Sequence, residues 1–267
     1  MENRPGKLSS APLRELWQAR ELVALFAQRD LRVRYRQAAL GVLWVLGQPV
    51  AGVLVFTVVF AHLTQVNTAG VPYPMFALAG LLAWNYFVGV VVSGSDVLVD
   101  NSSLVTKVYF QRLAAPVSAL LPPLVDLLVA AGLLVPLWLA YQVFPGWRLL
   151  ALPLWVLLLI VTALGPCLWL SALNVRYRDV RHAIAPLLQI GLFLSPVAYP
   201  ATELTGWARW VYALNPMAGP IDFGRWCLLG SAWPGWTLAV STGSALLLFG
   251  LGYRYFRRSE RSFADVV

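Results

Sequence analysis

Six long apolar stretches constrain this chain more than any other feature of its sequence. A helix needs about 20 mostly apolar residues to cross the hydrocarbon core of a bilayer. Stretches near or above that length occupy residues 40–63, 75–97, 118–141, 149–173, 182–199 and 235–255. The sequence therefore predicts an all-α integral membrane protein, a single transmembrane domain with six transmembrane helices.

The composition excludes the other broad classes of protein. Only 12% of the residues are charged and 59% are hydrophobic, whereas a soluble globular domain has roughly 25% charged residues. A mean hydropathy of +0.69 and the presence of 12 Trp, 10 Tyr and 12 Phe exclude a disordered chain. An ordinary soluble enzyme and a disordered protein are both ruled out.

The basic residues indicate how the spans are oriented. With six spans, 17 of the 20 Lys and Arg fall on one side of the membrane, and only Arg148, Arg209 and Arg225 fall on the other. Loops that carry an excess of Lys and Arg are cytoplasmic. We therefore predict that both termini are cytoplasmic, including the tail at residues 256–267, and interpret the net charge of +8 as a topology signal, with no nucleic-acid partner.

The amino-terminal segment predicts a helix that lies on the membrane surface. Residues 1–40 carry eight Lys and Arg without an apolar core, so no cleavable signal peptide is expected. Within residues 12–36, six apolar side chains share a helical sector of ~120°, with Arg20 inside the same sector. The sector contains Leu13, Leu16, Trp17, Val23, Ala24 and Ala27. The alternative is a solvated basic tail held near anionic lipid.

Catalytic, metal-binding and nucleotide-binding motifs are missing from the sequence. His62 and His182 fall on opposite faces in the predicted topology, and HExxH and GxSxG do not occur. Cys167 and Cys227 have no spacing that suggests a metal site or a disulfide. No GxxxxGK[ST] motif is present. We predict a protein that is not an enzyme, with no catalytic residue, no metal and no cofactor bound by this chain.

Asp126 is the one acid placed well inside a predicted span. An ionisable residue there costs roughly 2.5–3.5 kcal/mol on insertion scales. It should therefore face the bundle interior or a wet cavity, or else bond a neighbouring helix as a structural residue. Ion-coupled carriers show several intramembrane polar residues, so uphill transport by this chain would use a separate ATPase.

Several motifs together resemble the transmembrane subunits of polysaccharide ABC exporters, the permeases for O-antigen, capsule and teichoic acid. They occur in family order along nearly the whole chain: RDLRVRYR at 29–36, LGVLW at 40–44 with Pro49, NVRYRDV at 174–180, SPV at 195–197 with Tyr199, NPM at 215–217, FRR at 256–258 with Glu260, and FAD at 263–265. The resemblance implies a bacterial inner-membrane protein that forms a homodimer around a conduit. It also implies two copies of a cytoplasmic ATPase, which carry the ATP and Mg²⁺.

The loop at residues 98–115 is predicted to couple the spans to that ATPase. Possible N-caps at Ser102 and Ser103 precede a short apolar set, and the family has a coupling helix here. The predicted contact residues are Leu104, Val105, Lys107, Val108, Tyr109 and Phe110, with Arg176, Arg178 and Asp179 as a second contact. The alternatives are a solvated connector for the loop and simple positive-inside anchoring for the arginines. Asp179 favours a partner or a salt bridge with Arg176 or Arg178.

Residues 200–234 are too rich in Trp, Pro and Gly for a continuous span. Two short helices that dip into the outer leaflet and return would place aromatic rings at headgroup level. The family shows such an extracytoplasmic re-entrant hairpin, and broken backbone at membrane depth must be covered by protein or a wet cavity. The predicted external gate residues are Trp207, Trp210, Tyr212, Asn215 and Trp226. A plain interfacial aromatic belt is the alternative.

A conduit for glycan needs aromatic faces for sugar C–H groups, together with hydroxyls and amides. The candidates are Trp44, Phe56, Phe60, Tyr73, Phe76, Trp84, Tyr86 and Phe87, together with Asp126. Aromatic residues in spans also commonly face lipid or serve packing. The overall prediction is the permease half of an ATP-driven exporter of lipid-linked polysaccharide. The alternatives are a drug or small-lipid exporter, a polyprenyl-phosphate sugar transferase and a membrane scaffold.

Overall fold

The structure is a computed structural model that describes residues 19–36, 42–63, 68, 70–101, 111–177, 179–200, 206–260 and 263. Within these ranges all regular structure is helical, which confirms the predicted all-α class. The helices are α1 (Arg20–Arg36), α2 (Val42–Phe56), α3 (Tyr73–Asp100), α4 (Ala114–Ser118), α5 (Leu121–Ala131), α6 (Leu134–Tyr141), α7 (Leu152–Arg176), α8 (Val180–Leu194), α9 (Trp207–Leu214), α10 (Ala218–Leu229) and α11 (Trp236–Ser259). A π-helical segment, Thr57–Leu63, continues α2, and a 3₁₀ segment, Gly146–Ala151, leads into α7.

Four helical stretches in the described part of the chain are long and apolar enough to cross a membrane. They are Tyr73–Asp100, Ala114–Tyr141, Gly146–Arg176 and Trp236–Ser259, with 24 to 31 residues each. They overlap the second, third, fourth and sixth predicted spans. Large apolar side chains on these stretches are exposed within the single chain, as expected for surfaces that meet lipid or a partner.

The remaining two predicted spans are shorter helices. α2 contains Pro49 and passes into the π-helical segment, so its regular part has 15 residues. α8 also has 15 residues, about 22 Å at 1.5 Å per residue against a core of about 30 Å. It ends at Ser195, which is extended because Pro196 follows. The count of six spans therefore stays a prediction.

The third predicted span is divided into three helical pieces. α4, α5 and α6 follow one another with breaks at residues 119–120 and 132–133. Pro122 and Pro123 occupy the first turn of α5, where proline costs no hydrogen bond. Gly132 is the C-cap residue that follows α5. The whole stretch has 28 residues, and hydrogen bonds to the third preceding residue bridge its breaks, as from Leu120 to Val117 and from Leu133 to Ala130.

α3 and α7 form the centre of the bundle. Nineteen residues of α3 are buried, and α7, α10, α2 and α5 all pack against it. α7 packs most extensively on α11, where Gly165 and Gly252 bring the two backbones together. A Cβ added to Gly252 would lie 2.2 Å from the carbonyl oxygen of Gly165. Small residues at such a crossing permit the close approach of membrane helices.

A second, smaller core lies where α3, α7 and α11 finish, here called the basic end of the bundle. Side chains from the ends of these three helices meet Phe26 of α1 and Phe263, both 2% exposed. Of the apolar sector predicted for α1, Ala27 is buried, Val23 is half-buried and Ala24 is exposed. Leu13, Leu16 and Trp17 lie outside the described residues. α1 is therefore fastened to the bundle through Phe26 and Ala27.

Candidate functional site

A cavity of about 330 Å³ with a mainly apolar lining lies among α1, α2, α3 and α5. Its lining includes side chains of very different polarity. The polar members are Arg34, Gln48, Asn85, Tyr86 and Asp126, and the remainder are apolar residues such as Leu82, Pro123 and Leu127. Two predicted conduit residues, Tyr86 and Asp126, are among them. The hydroxyl of Tyr86 is buried and has no hydrogen-bond partner among the described residues.

Asp126 is held by the amino-terminal helix. Arg34 forms an ion pair with its carboxylate, and the hydroxyl of Tyr35 donates a hydrogen bond to the same group. Burial, followed by the adjacent carboxylate, raises the pKa of Tyr35 to about 12. Asp126 therefore lines the cavity and also bonds a neighbouring helix, and its role in transport stays a prediction. The ion pair offsets the cost of placing a carboxylate in a span.

Four predicted conduit residues form a continuous aromatic row. The ring centroids of Phe56 and Phe60 are 5.7 Å apart, those of Phe60 and Tyr73 are 6.4 Å apart, and those of Tyr73 and Phe76 are 6.0 Å apart. Phe60 is half-buried and the other three are buried. These separations lie within the range at which aromatic pairs attract. The row ends beneath Arg225, whose guanidinium lies 3.5 Å from the centroid of Phe76.

The other conduit candidates do not join this row. Trp84 and Phe87 pair with each other at 5.4 Å and are buried. Trp84 also packs against Gly191 of α8. The side chain of Trp44 lies outside the described residues, although its backbone belongs to α2. Among the aromatic candidates whose side chains are described, Tyr86 alone lines the cavity, and the others pack in or against the main core.

The predicted gate residues divide between an exposed face and a buried network. Trp207 and Trp210 are 79% and 61% exposed, on the apolar face of α9. Trp226 stacks on Phe223, and their ring centroids are 5.7 Å apart. Tyr212 is buried on the opposite face of α9. The two short helices expected between residues 200 and 234 are present as α9 and α10, and whether they re-enter the membrane stays a prediction.

Asn215 ties α8, α9 and α10 together. Its side-chain amide donates to the carbonyl oxygen of Leu194 at 3.1 Å and to the hydroxyl of Ser195 at 3.0 Å. Its side-chain oxygen accepts from the backbone N–H of Met217 at 2.9 Å. The SPV and NPM motifs, distant in sequence, therefore meet in one hydrogen-bonded cluster. Asn215 has a structural role in the described chain.

A buried ion pair in α10 was not predicted from the sequence. Arg225 is 2% exposed and donates to Asp222 at 3.2 Å and to the carbonyl oxygen of Val197 at 2.8 Å. The hydroxyl of Tyr212 donates to the second oxygen of Asp222 at 2.5 Å. Sequence reasoning used Arg225 only to assign topology. The sequence feature that could have indicated this pair is the spacing of three residues between an acid and a base in an otherwise apolar segment.

The predicted ATPase contacts are only partly described. Residues 104–110, with all six loop candidates, and Arg178 lie outside the described residues. Arg176 and Asp179 are exposed at the basic end, and Arg176 lies over the ring of Tyr177 at 5.3 Å. In the described part of the chain Asp179 forms no ion pair with Arg176. The neighbouring Arg181 instead pairs with Asp96 at 3.3 Å.

Helices that are long and apolar enough to cross a bilayer define the described part of the chain as that of an integral membrane protein. Residues 21–229 match the family model for the ABC-2 type transporter, and the chain belongs to that family. It is therefore a transport subunit and not an enzyme, which sets aside the sugar-transferase and scaffold alternatives. The prediction of a polysaccharide exporter permease is confirmed at the level of family.

Curated relatives align over most of the chain. The O-antigen export system permease protein RfbA of Myxococcus xanthus is 33% identical over 77% of this chain and 79% of its own length. A protein of the same name from Klebsiella pneumoniae is 20% identical over 92% of this chain and 95% of its own length. The polysialic acid transport protein KpsM of Escherichia coli is 24% identical over 90% of this chain and 93% of its own length.

Proposed function

We propose that this chain is the permease half of an ATP-driven exporter that moves a lipid-linked polysaccharide across the bacterial inner membrane. The alignment with permeases named for O-antigen export and polysialic acid transport carries the proposal, since it spans 77% to 92% of the chain. Two protomers form a homodimer. Two copies of a separate cytoplasmic subunit bind ATP and Mg²⁺, because this sequence has no phosphate-binding loop.

The membrane arrangement proposed here has six spans with both termini in the cytoplasm. Four helices of sufficient length and the clustering of basic residues at one end support it. α2 with its π-helical continuation and α8 supply the first and fifth spans. α9 and α10 form the re-entrant hairpin on the outer side, with Trp207 and Trp210 at headgroup level.

Homodimer formation is supported by the uncovered surface of α8. Leu187, Ile190 and Phe193 are 62%, 58% and 61% exposed, and only Ile184 of this helix is buried. A second copy packed along this surface would bury it. It would also shield a helix of 15 residues that is short for the full thickness of the bilayer.

The conduit of this exporter runs beside α2 and α3. The aromatic row from Phe56 to Phe76 offers ring faces to sugar C–H groups, and the cavity beside Asp126 offers hydroxyl and amide partners. Rearrangement at the dimer interface during transport would open these buried groups. Residues 98–115 and the contact around Arg176 receive the movement of the ATPase.

Deletion of the gene tests the proposed function. Loss of surface polysaccharide, with lipid-linked polymer accumulating inside the cell, is the expected result, and the wild-type chain should restore export when it is returned. Immunoblots of surface glycan and extraction of lipid-linked polymer provide the measurement. A drug or small-lipid exporter would leave surface glycan unchanged, and that outcome would contradict the proposal.

A further inference from the structure

Three arginines from separate parts of the chain meet the basic end of the bundle. Arg181 of α8 binds the last turns of α3, with its Nε 3.3 Å from Asp96 Oδ2 and its Nη1 3.7 Å from Asp100 Oδ1. Asn174 of α7 donates to the other oxygen of Asp96 at 2.9 Å. The connection between α7 and α8 is thereby fixed to the carboxyl end of α3.

Arg29 of α1 binds the next residue beyond α3. Its Nη1 donates to Asn101 Oδ1 at 2.6 Å, and the side-chain amide of Asn101 donates to the carbonyl oxygen of Val97 at 2.7 Å. Asn101 is only 4% exposed. The guanidinium also lies 5.6 Å from the ring centroid of Phe26, which is anchored in the core of the basic end.

Arg112 makes the corresponding contact just before α4. Its Nη1 donates to the carbonyl oxygen of Glu260, and its guanidinium lies 5.8 Å from the ring of Phe263. Phe263 is buried and packs edge-on against Phe256, with centroids 5.5 Å apart. The carboxy-terminal tail therefore holds Arg112, which lies just after the predicted contact residues 104–110, and α1 holds Asn101, which lies just before them.

Two carboxylates near the carboxyl end of α3 need a positively charged partner from another segment of the chain. Carboxylates near a helix carboxyl terminus oppose the helix dipole, so Asp96 and Asp100 are unfavourable for α3 alone. Arg181 compensates their charge from a different chain segment. The arrangement joins α1, α3, the α7–α8 connection and the tail into one unit.

We propose that Arg29, Arg112 and Arg181 are positioning residues that make the ATPase-facing surface move as one body with α3. The inference rests on the proposed function, because it assumes that the ATPase acts at this end. Asn101 and Arg112 lie on either side of the predicted contact residues 104–110, and Arg181 follows the second predicted contact, which ends at Asp179. Without these contacts, movement of the ATPase would be absorbed locally instead of displacing α3.

The test uses the complete exporter, with the permease and its ATPase produced together. The variants are Arg29→Ala, Arg112→Ala and Arg181→Ala. Membrane abundance and co-purification of the ATPase should stay at wild-type levels, while glycan exported per ATP hydrolysed should fall about three- to fivefold. Arg181→Lys should recover most of this ratio, because an ammonium group can still pair with Asp96.

Matched variants separate positioning from general stability. Arg254→Ala removes an exposed arginine of α11 that has no hydrogen bond or ion pair within the described chain, and it should keep the wild-type ratio. Asp100→Asn removes the exposed carboxylate that lies 3.7 Å from Arg181 Nη1. It should lower the ratio about twofold without loss of protein, because the helix dipole favours the change.

Two outcomes would overturn the inference. One is an unchanged ratio of exported glycan to hydrolysed ATP in every variant that removes one of the three arginines. The other is a fall in export that is fully explained by a fall in membrane abundance. Failure of the proposed function is recognised separately, since deletion of the gene would then leave surface glycan unchanged. That result would remove this inference as well.

Discussion

Arg225 shows how much a single residue contributes at the end of the bundle opposite the basic end. Its guanidinium contacts α10 through Asp222, the SPV segment through Val197 and α3 through the ring of Phe76. Gly80 permits this approach, because a Cβ there would lie 3.0 Å from Arg225 Nη2. One side chain therefore joins three segments that are far apart in sequence.

Replacement of Arg225 with alanine should strongly destabilise the protein. Removal of one partner from a buried pair leaves an uncompensated charge, which costs about 3 kcal/mol. Denaturant unfolding of the purified protein in detergent measures the change. Arg209→Ala, at an exposed site in α9, should alter the free energy of unfolding by less than about 0.5 kcal/mol. Equal effects of the two substitutions would contradict a structural role for the buried pair.

At the scale of elements, the crossing of α7 and α11 is limited by backbone contact. A Cβ on Gly165 would lie 2.7 Å from the backbone nitrogen of Phe249, and one on Gly252 would meet the Gly165 carbonyl. Backbone atoms at these positions cannot move aside as a side-chain end does. Gly250 lies on the same helix, and a Cβ there would meet no atom within 4 Å.

Alanine at Gly252 should therefore separate the two helices. The overpacking cost is about 1–3 kcal/mol, whereas Gly250→Ala should be neutral or stabilising by up to about 1 kcal/mol, because alanine favours a helix. Thermal unfolding in detergent compares the variants directly. Indistinguishable midpoints for the two would show that this crossing is looser than described.

At the scale of the whole molecule, the topology depends on whether α8 crosses the membrane, because this decides whether the residues before and after α8 lie on opposite sides. Tyr177 precedes α8 and is 52% exposed, and Trp207 follows it and is 79% exposed. The proposed topology places them on opposite sides. The native thiols of Cys167 and Cys227 are free and buried, so they should contribute little background to thiol labelling.

Labelling of cysteines introduced on either side of α8 tests this topology in intact cells. A thiol reagent that cannot cross the inner membrane should modify Trp207→Cys directly and Tyr177→Cys only after the membrane is permeabilised. The wild-type chain serves as the unlabelled control. Modification of both positions from the same side would mean that α8 does not cross, and the proposal of six spans would be wrong.

Of the residues that line the cavity, Tyr86 and Asp126 were named from the sequence, whereas the contacts of the site were not predictable. The isolation of Asp126 in an apolar span indicated a cavity or a helix contact, and the structure has both. The aromatic row could not be predicted, because Phe60 and Tyr73 come together only when α2 and its π-helical continuation pack against α3. The buried pair of Asp222 and Arg225 was missed because charge was used only as a topology signal.

The sequence by itself determined the all-α membrane class, the positions of the long apolar helices and the family, because apolar length and ordered motifs are local properties of the chain. Tertiary structure decided which polar groups meet. It placed Arg34 on Asp126 and Arg181 on Asp96, and it buried Arg225 against Phe76. These pairings join residues from helices that are distant in sequence, and side-chain burial and charge compensation operate only once those helices have packed.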